Sequence, residues 1–429
     1  MRGNFQIIII ALFIGLAVFG VLVFSGAIPI GNDNSPGALG AVVLWGTVRG
    51  DAMLPLMERF NATNPSFVVK YVQKSSDSFD QDLLEALASG TGPDMIFLPH
   101  DLAFHYANKI LVIPYQSFSL ASFKNNFAGA GEVFLTTRGI VALPLSIDPL
   151  VMYYNRSILD SNEVVFPPAF WDDFAGVVPE ITERDASNRV IKSAVALGHF
   201  SNVTHAKDIL SALFMQAGNG IVAERNGIFD SLLDRADSLN SLATVLKFYT
   251  DFADPTEPVY SWNKSFAQAS EVFSSGDTAF YFGYASELAS LTARNPNLNF
   301  GAAPVPQMRN KPKATMSRVT GIAVLSSSKN ATAALTAAGL LSTGDFASEF
   351  AGATGTAPAR RDLLSAKKSD AFSPIIYSAA LYARSWLDPS PKDTNEIWRR
   401  MIDSVLSGGS AAAGAVSDAG SRLRLLLQK

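Results

Sequence analysis

Residues 41–98 read AVVLWGTVRGDAMLPLMERFNATNPSFVVKYVQKSSDSFDQDLLEALASGTGPDMIFL. Residues 41–44 (AVVL) are a short apolar run, and residues 52–61 (AMLPLMERFN) carry apolar side chains at helical spacing. Residues 67–72 (FVVKYV) alternate, residues 80–89 (DQDLLEALAS) form a second helical stretch stopped by Gly90, and residues 94–98 (DMIFL) are apolar again. Strand, helix, strand, helix, strand in that order predicts a mostly parallel sheet with helices on both faces. Such sheets take ligands beyond the carboxyl ends of their strands. The residues to watch are therefore Trp45, residues 74–76 and residues 99–101.

The pattern continues downstream. Residues 140–144 (IVALP), 150–154 (LVMYY), 278–282 (TAFYF) and 321–325 (GIAVL) read as strands. Residues 206–216, 239–252 and several stretches after Thr332 read as helices. The Gly-Ala-Ser-rich residues 407–415 lie between two helical patterns, which predicts a helix C-cap and turn rather than a disordered tract.

Composition removes several classes of function. The 429-residue chain has a net charge of −4, and no basic stripe that would neutralise phosphates, so nucleic acid is not an expected partner. It has no cysteine, which excludes disulfides, thiolate metal sites, Cys nucleophiles and a lipid-modified N-terminal Cys. Its four histidines (His100, His105, His199, His205) form no HxxxH or HExxH pair, so neither a zinc site nor any other metal or cofactor is expected. Five N-x-[ST] triplets begin at Asn61, Asn155, Asn202, Asn263 and Asn330, a pattern too common to weigh.

Residues 7–24 carry no charged or strongly polar side chain. As a helix they would span about 27 Å, enough to cross a bilayer core. Arg2 precedes the run and Asp33 follows it, which orients the N-terminus inward and the rest of the chain outside. Residues 1–31 are thus expected to be a signal anchor, giving an N-terminal transmembrane helix. The alternative is a signal peptide cleaved near Ser25, Gly26 and Ala27, although its apolar region is usually shorter. Residues 32–40 then read as a flexible linker.

Further segments carry a family likeness. They are residues 86–94 (ALASGTGPD), 97–106 (FLPHDLAFHY), 144–155 (PLSIDPLVMYYN), 167–174 (PPAFWDDF), 273–283 (FSSGDTAFYFG) and 356–360 (TAPAR). Together, and in this order, they resemble family 1 of the extracellular solute-binding proteins, which includes the maltodextrin binders. The likeness runs over residues 42–426. It implies an α/β, two-lobed periplasmic-binding-protein-like type II fold with three crossing segments, near residues 146–148, 316–320 and 385–395. Lobe one would hold residues 38–145 and 320–385, and lobe two residues 146–319 and 386–429. The implied function is the extracytoplasmic component of an ABC-type importer. It would capture a sugar or oligosaccharide between its lobes and hand it to permease subunits in the membrane, acting as a monomer without catalysis.

Sugars present hydroxyls and flat C–H faces, which carboxylates and aromatic rings meet. By the resemblance, His100 and Asp101 stand in a ligand-bonding loop, Asp148 at a crossing segment in place of a ligand-binding Glu, and Tyr284 and Trp398 at stacking positions. Trp45, at the end of the first strand, is a candidate cleft wall. Each also has a structural reading: Asp101 as a helix N-cap, Asp148 as a turn residue before Pro149, Trp45 and Trp398 as core. Trp171 is assigned to the core, and Trp262 and Trp386 are left open. Leu98 and Leu102 replace an aromatic and an Arg of the maltodextrin binders, so maltodextrin is not implied as the ligand. Two other readings compete: a glycosidase using Asp101 and Asp148 as paired carboxylates, and a sensor subunit that passes its ligand-bound state to a receptor.

Overall fold

A computed structural model describes residues 40–366 and 368–428. The apolar run 7–24 and nearly all of the linker lie outside the described residues. Among the described residues, no helix is long and apolar enough to cross a membrane.

The chain divides into two compact units. Unit 1 comprises the N-terminal part to Ile147, Val319–Thr354 and Pro358–Leu363; unit 2 comprises Asp148–Arg318, Gly355–Ala357 and Leu364–Lys429. The segment that follows Leu363 thus belongs to unit 2.

Unit 1 opens with β1 (Ala41–Gly46), α1 (Gly50–Thr63), β2 (Val68–Gln73), α2 (Phe79–Ser89) and β3 (Met95–Pro99). β1 pairs in parallel with both β2 and β3, as the strand–helix alternation demands. Gly90 ends α2 in the left-handed conformation (φ 71°) and its N–H returns to the Ala86 and Leu87 carbonyls, a glycine-type C-cap. The core alternates along β1, with Val42 and Leu44 fully buried.

The next strand departs from expectation. Residues 140–144 and 150–154 were predicted as separate strands, but one 13-residue strand, β4 (Leu143–Asn155), takes in residues 143–144 and all of 150–154, while Ile140 belongs to a separate two-residue strand. Asp148 is therefore extended and not in a turn. The following Pro149 favours this, since a residue before proline is driven toward β geometry.

Unit 2 adds β5 (Val190–Val195), α3 (Ala206–Gln216), α4 (Leu239–Asp251), β6 (Thr278–Tyr284), β7 (Phe300–Pro304) and β8 (Thr315–Val324). It ends on α5 (Pro391–Leu406) and α6 (Ala412–Leu427). β6 runs antiparallel to β4 and parallel to β5, while β7 covers the other side of β4. All seven residues of β6 are buried, so this strand is the spine of the unit. Beyond Arg318, β8 enters unit 1, where residues 320–324 run antiparallel to β3. Gly408 (φ 70°) follows the C-cap of α5, making the predicted turn before α6.

Trp171 is core, as its motif suggested. It is buried, stacks on Phe174, and its indole N–H donates to Gln216 Oε1 at 2.7 Å. Gln216 in turn donates to the Pro306 and Ala314 carbonyls, so this buried amide is satisfied on both ends.

Candidate functional site

In unit 1 the carboxyl ends of the three parallel strands share one edge. Trp45 lies there, nearly buried, with the Lys74 ammonium 3.9 Å above its ring. Lys74 is itself held by Asp82 at 3.0 Å, so one indole face is already occupied by a cation. His100 is buried in a short 3₁₀ turn after β3, and its Nδ1 accepts from the Val319 N–H at 3.3 Å. Asp101 is half-buried within the same turn and is not its N-cap, a place Pro99 takes. Among the described residues the Asp101 side chain makes no hydrogen bond or ion pair. Both of its oxygens are available to a ligand.

Unit 2 carries the denser constellation, built around the end of β6 and the start of α3. Asp148 accepts from the Ser286 N–H at 3.0 Å and the Ser286 hydroxyl at 2.6 Å. Burial pushes its carboxyl up to about 6, while the Ser286 bonds and the Arg318 charge only partly oppose this. Glu287 takes three donors: the Tyr284 N–H at 2.9 Å, the Tyr281 hydroxyl at 2.5 Å and His205 Nε2, also at 2.5 Å. Burial raises the Glu287 carboxyl, but the His205 and Tyr281 bonds outweigh burial and leave it below its ordinary value. His205 stands at φ 63°, left-handed geometry uncommon outside glycine, and precedes α3 directly.

Tyr284 is completely buried. The His205 ring meets it in a T-shaped contact at 4.8 Å between centroids, and the Arg318 guanidinium lies 3.9 Å over its face. Its hydroxyl is buried without a hydrogen-bond partner. Burial first, then the Asp208 charge, hold the phenol well above its usual pKa. The flat surface at this point is thus the Arg318 guanidinium and not the tyrosine ring. Arg318 is exposed, and its guanidinium makes no hydrogen bond or ion pair among the described residues.

Trp398 on α5 is also completely buried, stacked on Trp386 at 5.4 Å and 13°. Its indole N–H has no partner. Trp386 lies beside the Lys207 ammonium (5.7 Å), and Lys207 reaches Asp388 at 2.8 Å. Two serine bonds tie this region to Arg318. Ser385, next to Trp386, bonds the carbonyl of Ser317, and the Ser317 hydroxyl bonds the Arg384 carbonyl.

The structure therefore brings Asp148, Tyr284 and Trp398 to one region of unit 2, linked through His205 just before α3 and through Lys207 and Asp208 on its first turn. Trp45, His100 and Asp101 lie in unit 1. Sequence reasoning passed over Arg318, His205, Asp208, Ser286 and Glu287 and left Trp386 open. Of these only Trp386 had a local signal, an aromatic just before the Asp388-Pro389-Ser390 helix start. Two surface hollows of unit 2, about 560 and 330 Å³, lie at the α5–α6 turn and contain none of the candidate residues. In the larger one Arg399 is already paired with Glu396 and Asp403, and Arg422 with Asp418. No group of three or more His, Asp or Glu side chains among the described residues could hold a metal ion.

Chemically, the unit 2 region offers a fork of free N–H donors, buried carboxylates, indole rings and two buried polar groups without partners. Leaving a buried donor unmade costs about 1–3 kcal/mol. A hydroxyl-bearing molecule is the kind of ligand that the Arg318 donors could meet.

Comparison with known proteins decides the family. The profile of bacterial extracellular solute-binding proteins matches residues 45–348. The chain belongs to the bacterial extracellular solute-binding proteins. A Brucella abortus (strain 2308) protein, assigned a binding role by name only, is 23% identical over 133 residues, 30% of this chain. The chain spans about a third (32%) of that relative's length. Among solved structures, a cyclo/maltodextrin-binding protein complexed with maltotetraose superposes with a TM-score of 0.72 at 18% identity, covering 94% of this chain and 99% of the other. A cyclic α-maltosyl-1,6-maltose binding protein from Arthrobacter globiformis gives 0.75 at 15% identity, covering 90% and 99%. At these identities the likeness establishes the two-lobed α/β fold of the solute-binding protein and nothing finer.

Asp148 allows a clean test within this family member. Its carboxyl is raised above the unfolded value near 3.8, so the folded state binds the proton more tightly. Stability should therefore fall as pH rises from about 4 to about 6 and stay level above that, a change of roughly 3 kcal/mol. Asp148→Asn should remove this slope and leave stability at pH 7 unchanged or raised. Urea unfolding at pH 4, 5, 6 and 7 reads both; a slope that survives in the variant would assign it to other groups.

Proposed function

We propose that this solute-binding protein is the extracytoplasmic, non-catalytic component of an ABC-type importer, and that its ligand is a sugar or oligosaccharide. The observation that carries the ligand class is the unit 2 constellation: stacked Trp386 and Trp398, buried carboxylates, and the uncommitted guanidinium of Arg318. These are the groups that meet hydroxyls and flat C–H faces. Support comes from the two structural neighbours, one holding maltotetraose and the other described as a maltosyl-maltose binder. Asp148, Tyr284 and Trp398, with Trp45, His100 and Asp101 in unit 1, are the proposed binding residues, and permease subunits are the proposed protein partner. The apolar residues 7–24 are proposed as the membrane anchor, without cleavage. A product recovered from the membrane fraction with Met1 at its N-terminus agrees with this; a soluble one starting at Ile28 does not.

A thermal-shift screen against a glycan library tests the ligand class. A ligand at 100 times its dissociation constant should stabilise the protein by about 2.7 kcal/mol, and chromatography should return the glycan intact. Cleavage products would instead favour the paired-carboxylate hydrolase. A library without a single stabilising glycan would remove the sugar reading.

A further inference from the structure

We infer that Arg318, laid on the Tyr284 ring, is a specificity residue that bonds the hydroxyls of neutral glycans, while the carboxylates of Asp148, Glu287 and Asp208 around it reject glycans bearing carboxylate or phosphate groups. This rests on the sugar reading above and deepens it.

Three observations combine. First, the guanidinium is fixed but unspent. It lies 3.9 Å over a fully buried ring, belongs to a residue that is exposed as a whole, and has no hydrogen bond or ion pair among the described residues. Five N–H donors in a rigid plane can serve two neighbouring hydroxyls at once. The serine bonds between residues 317 and 385 hold the backbone beside it, so little freedom is lost when a ligand arrives.

Second, that cation is outnumbered. Glu287 bonds the N–H of Tyr284, the residue beneath Arg318. Asp148 bonds both donors of Ser286, the residue before Glu287. Asp208 approaches His205, whose ring touches Tyr284, with its carboxylate 4.0 Å from Nδ1. Three carboxylates thus surround one guanidinium and one imidazole. Even with His205 charged the region stays net negative, and Lys207 is already paired with Asp388. An acidic sugar would face this field at short range, where repulsion is poorly screened.

Third, a cationic sugar would meet like charge at the Tyr284 and Trp386 rings. The Tyr284 face is covered by Arg318 itself, and Trp386 has the Lys207 ammonium beside it. What remains suited to the site is an uncharged polyhydroxyl molecule.

The test is calorimetry with two matched series: maltotetraose and mannotriose as neutral glycans, trigalacturonate and trimannuronate as acidic ones. Wild-type protein should bind a neutral member at least about tenfold more tightly than either acidic one. Arg318→Met keeps the aliphatic stem and removes the donor fork; it should weaken neutral binding roughly 10- to 100-fold without improving acidic binding. Arg318→Lys should recover only part of that loss, because a point charge cannot span two hydroxyls. Asp208→Asn should raise acidic-glycan affinity, and so should salt in the wild type, as screening weakens the carboxylate field. Circular dichroism on each variant controls for folding. Acidic glycans that bind as tightly as neutral ones, or an Arg318→Met protein with wild-type affinity, would overturn the inference and leave the sugar reading standing. Failure of every member of both series removes the sugar reading itself, and this inference with it.

Discussion

Asp388→Ala is expected to cost about 3–5 kcal/mol of stability in unit 2, among the largest single-site losses in the chain. Asp388 is 2% exposed. It accepts from Lys207 Nζ at 2.8 Å, from the Thr394 hydroxyl at 2.8 and 2.9 Å, and from the Ser390 N–H at 3.0 Å. The last two bonds fasten the first turn of α5, the helix that carries Trp398. Removing the carboxylate strands the largely buried Lys207 ammonium, leaving only the Thr394 hydroxyl at 3.2 Å. The size of the effect comes from that stranded charge more than from the lost bonds. A Lys207→Met change placed on top of Asp388→Ala should therefore restore a substantial part of the stability. Urea unfolding of the two single variants and the double variant measures this. A double variant whose loss equals the sum of the two singles would mean the pair is not coupled.

The second large effect is on binding. Trp386→Ala should reduce glycan affinity by about thirtyfold or more, the scale of a hot-spot aromatic. Trp386 is the outer member of a stacked indole pair and retains slight exposure, whereas Trp398 beneath it has none. Trp386→Phe, which keeps a flat ring, should recover part of the loss. Trp262→Phe provides the contrast. Trp262 is fully buried, stacks on Phe266 and donates to Asn202, so its replacement should lower stability and leave affinity unchanged. Calorimetry with the best-binding glycan separates the two. Equal affinities for the Trp386→Ala and wild-type proteins would remove the indole pair from the site.

The alternating elements of unit 1 were legible because they are local. Residues 41–98 hold complete apolar periods, and Gly90 marks a helix end that only a left-handed residue closes without strain. The motif at residues 167–174 announced a buried Trp171, which the structure bonds to Gln216. The unit 2 constellation could not be read in the same way. Asp148 meets Ser286 across 138 positions and Lys207 meets Asp388 across 181, and no local period encodes such pairs. Arg318 sits in TMSRVTG, an ordinary strand sequence, and its place over Tyr284 follows from strand packing alone. By the family resemblance Tyr284, the last residue of β6, was expected as a stacking ring. Its burial beneath Arg318 depends on that same nonlocal packing. Asp148 before Pro149 suggested a turn, yet the same dipeptide is also compatible with the extended strand it occupies.

The central claim, that unit 2 meets its ligand with the indole pair of Trp386 and Trp398, is tested most directly by the five tryptophan indole N–H signals. In ¹⁵N-tryptophan-labelled protein titrated with a glycan of proven affinity, the Trp386 and Trp398 signals should shift most. Trp386, the outer ring, should move most, and Trp398 should follow through the stacked contact. The Trp171 and Trp262 signals, locked to Gln216 and Asn202, should stay in place, and Trp45 reports separately on unit 1. Saturating glycan that leaves the Trp386 and Trp398 signals unmoved would contradict the claim.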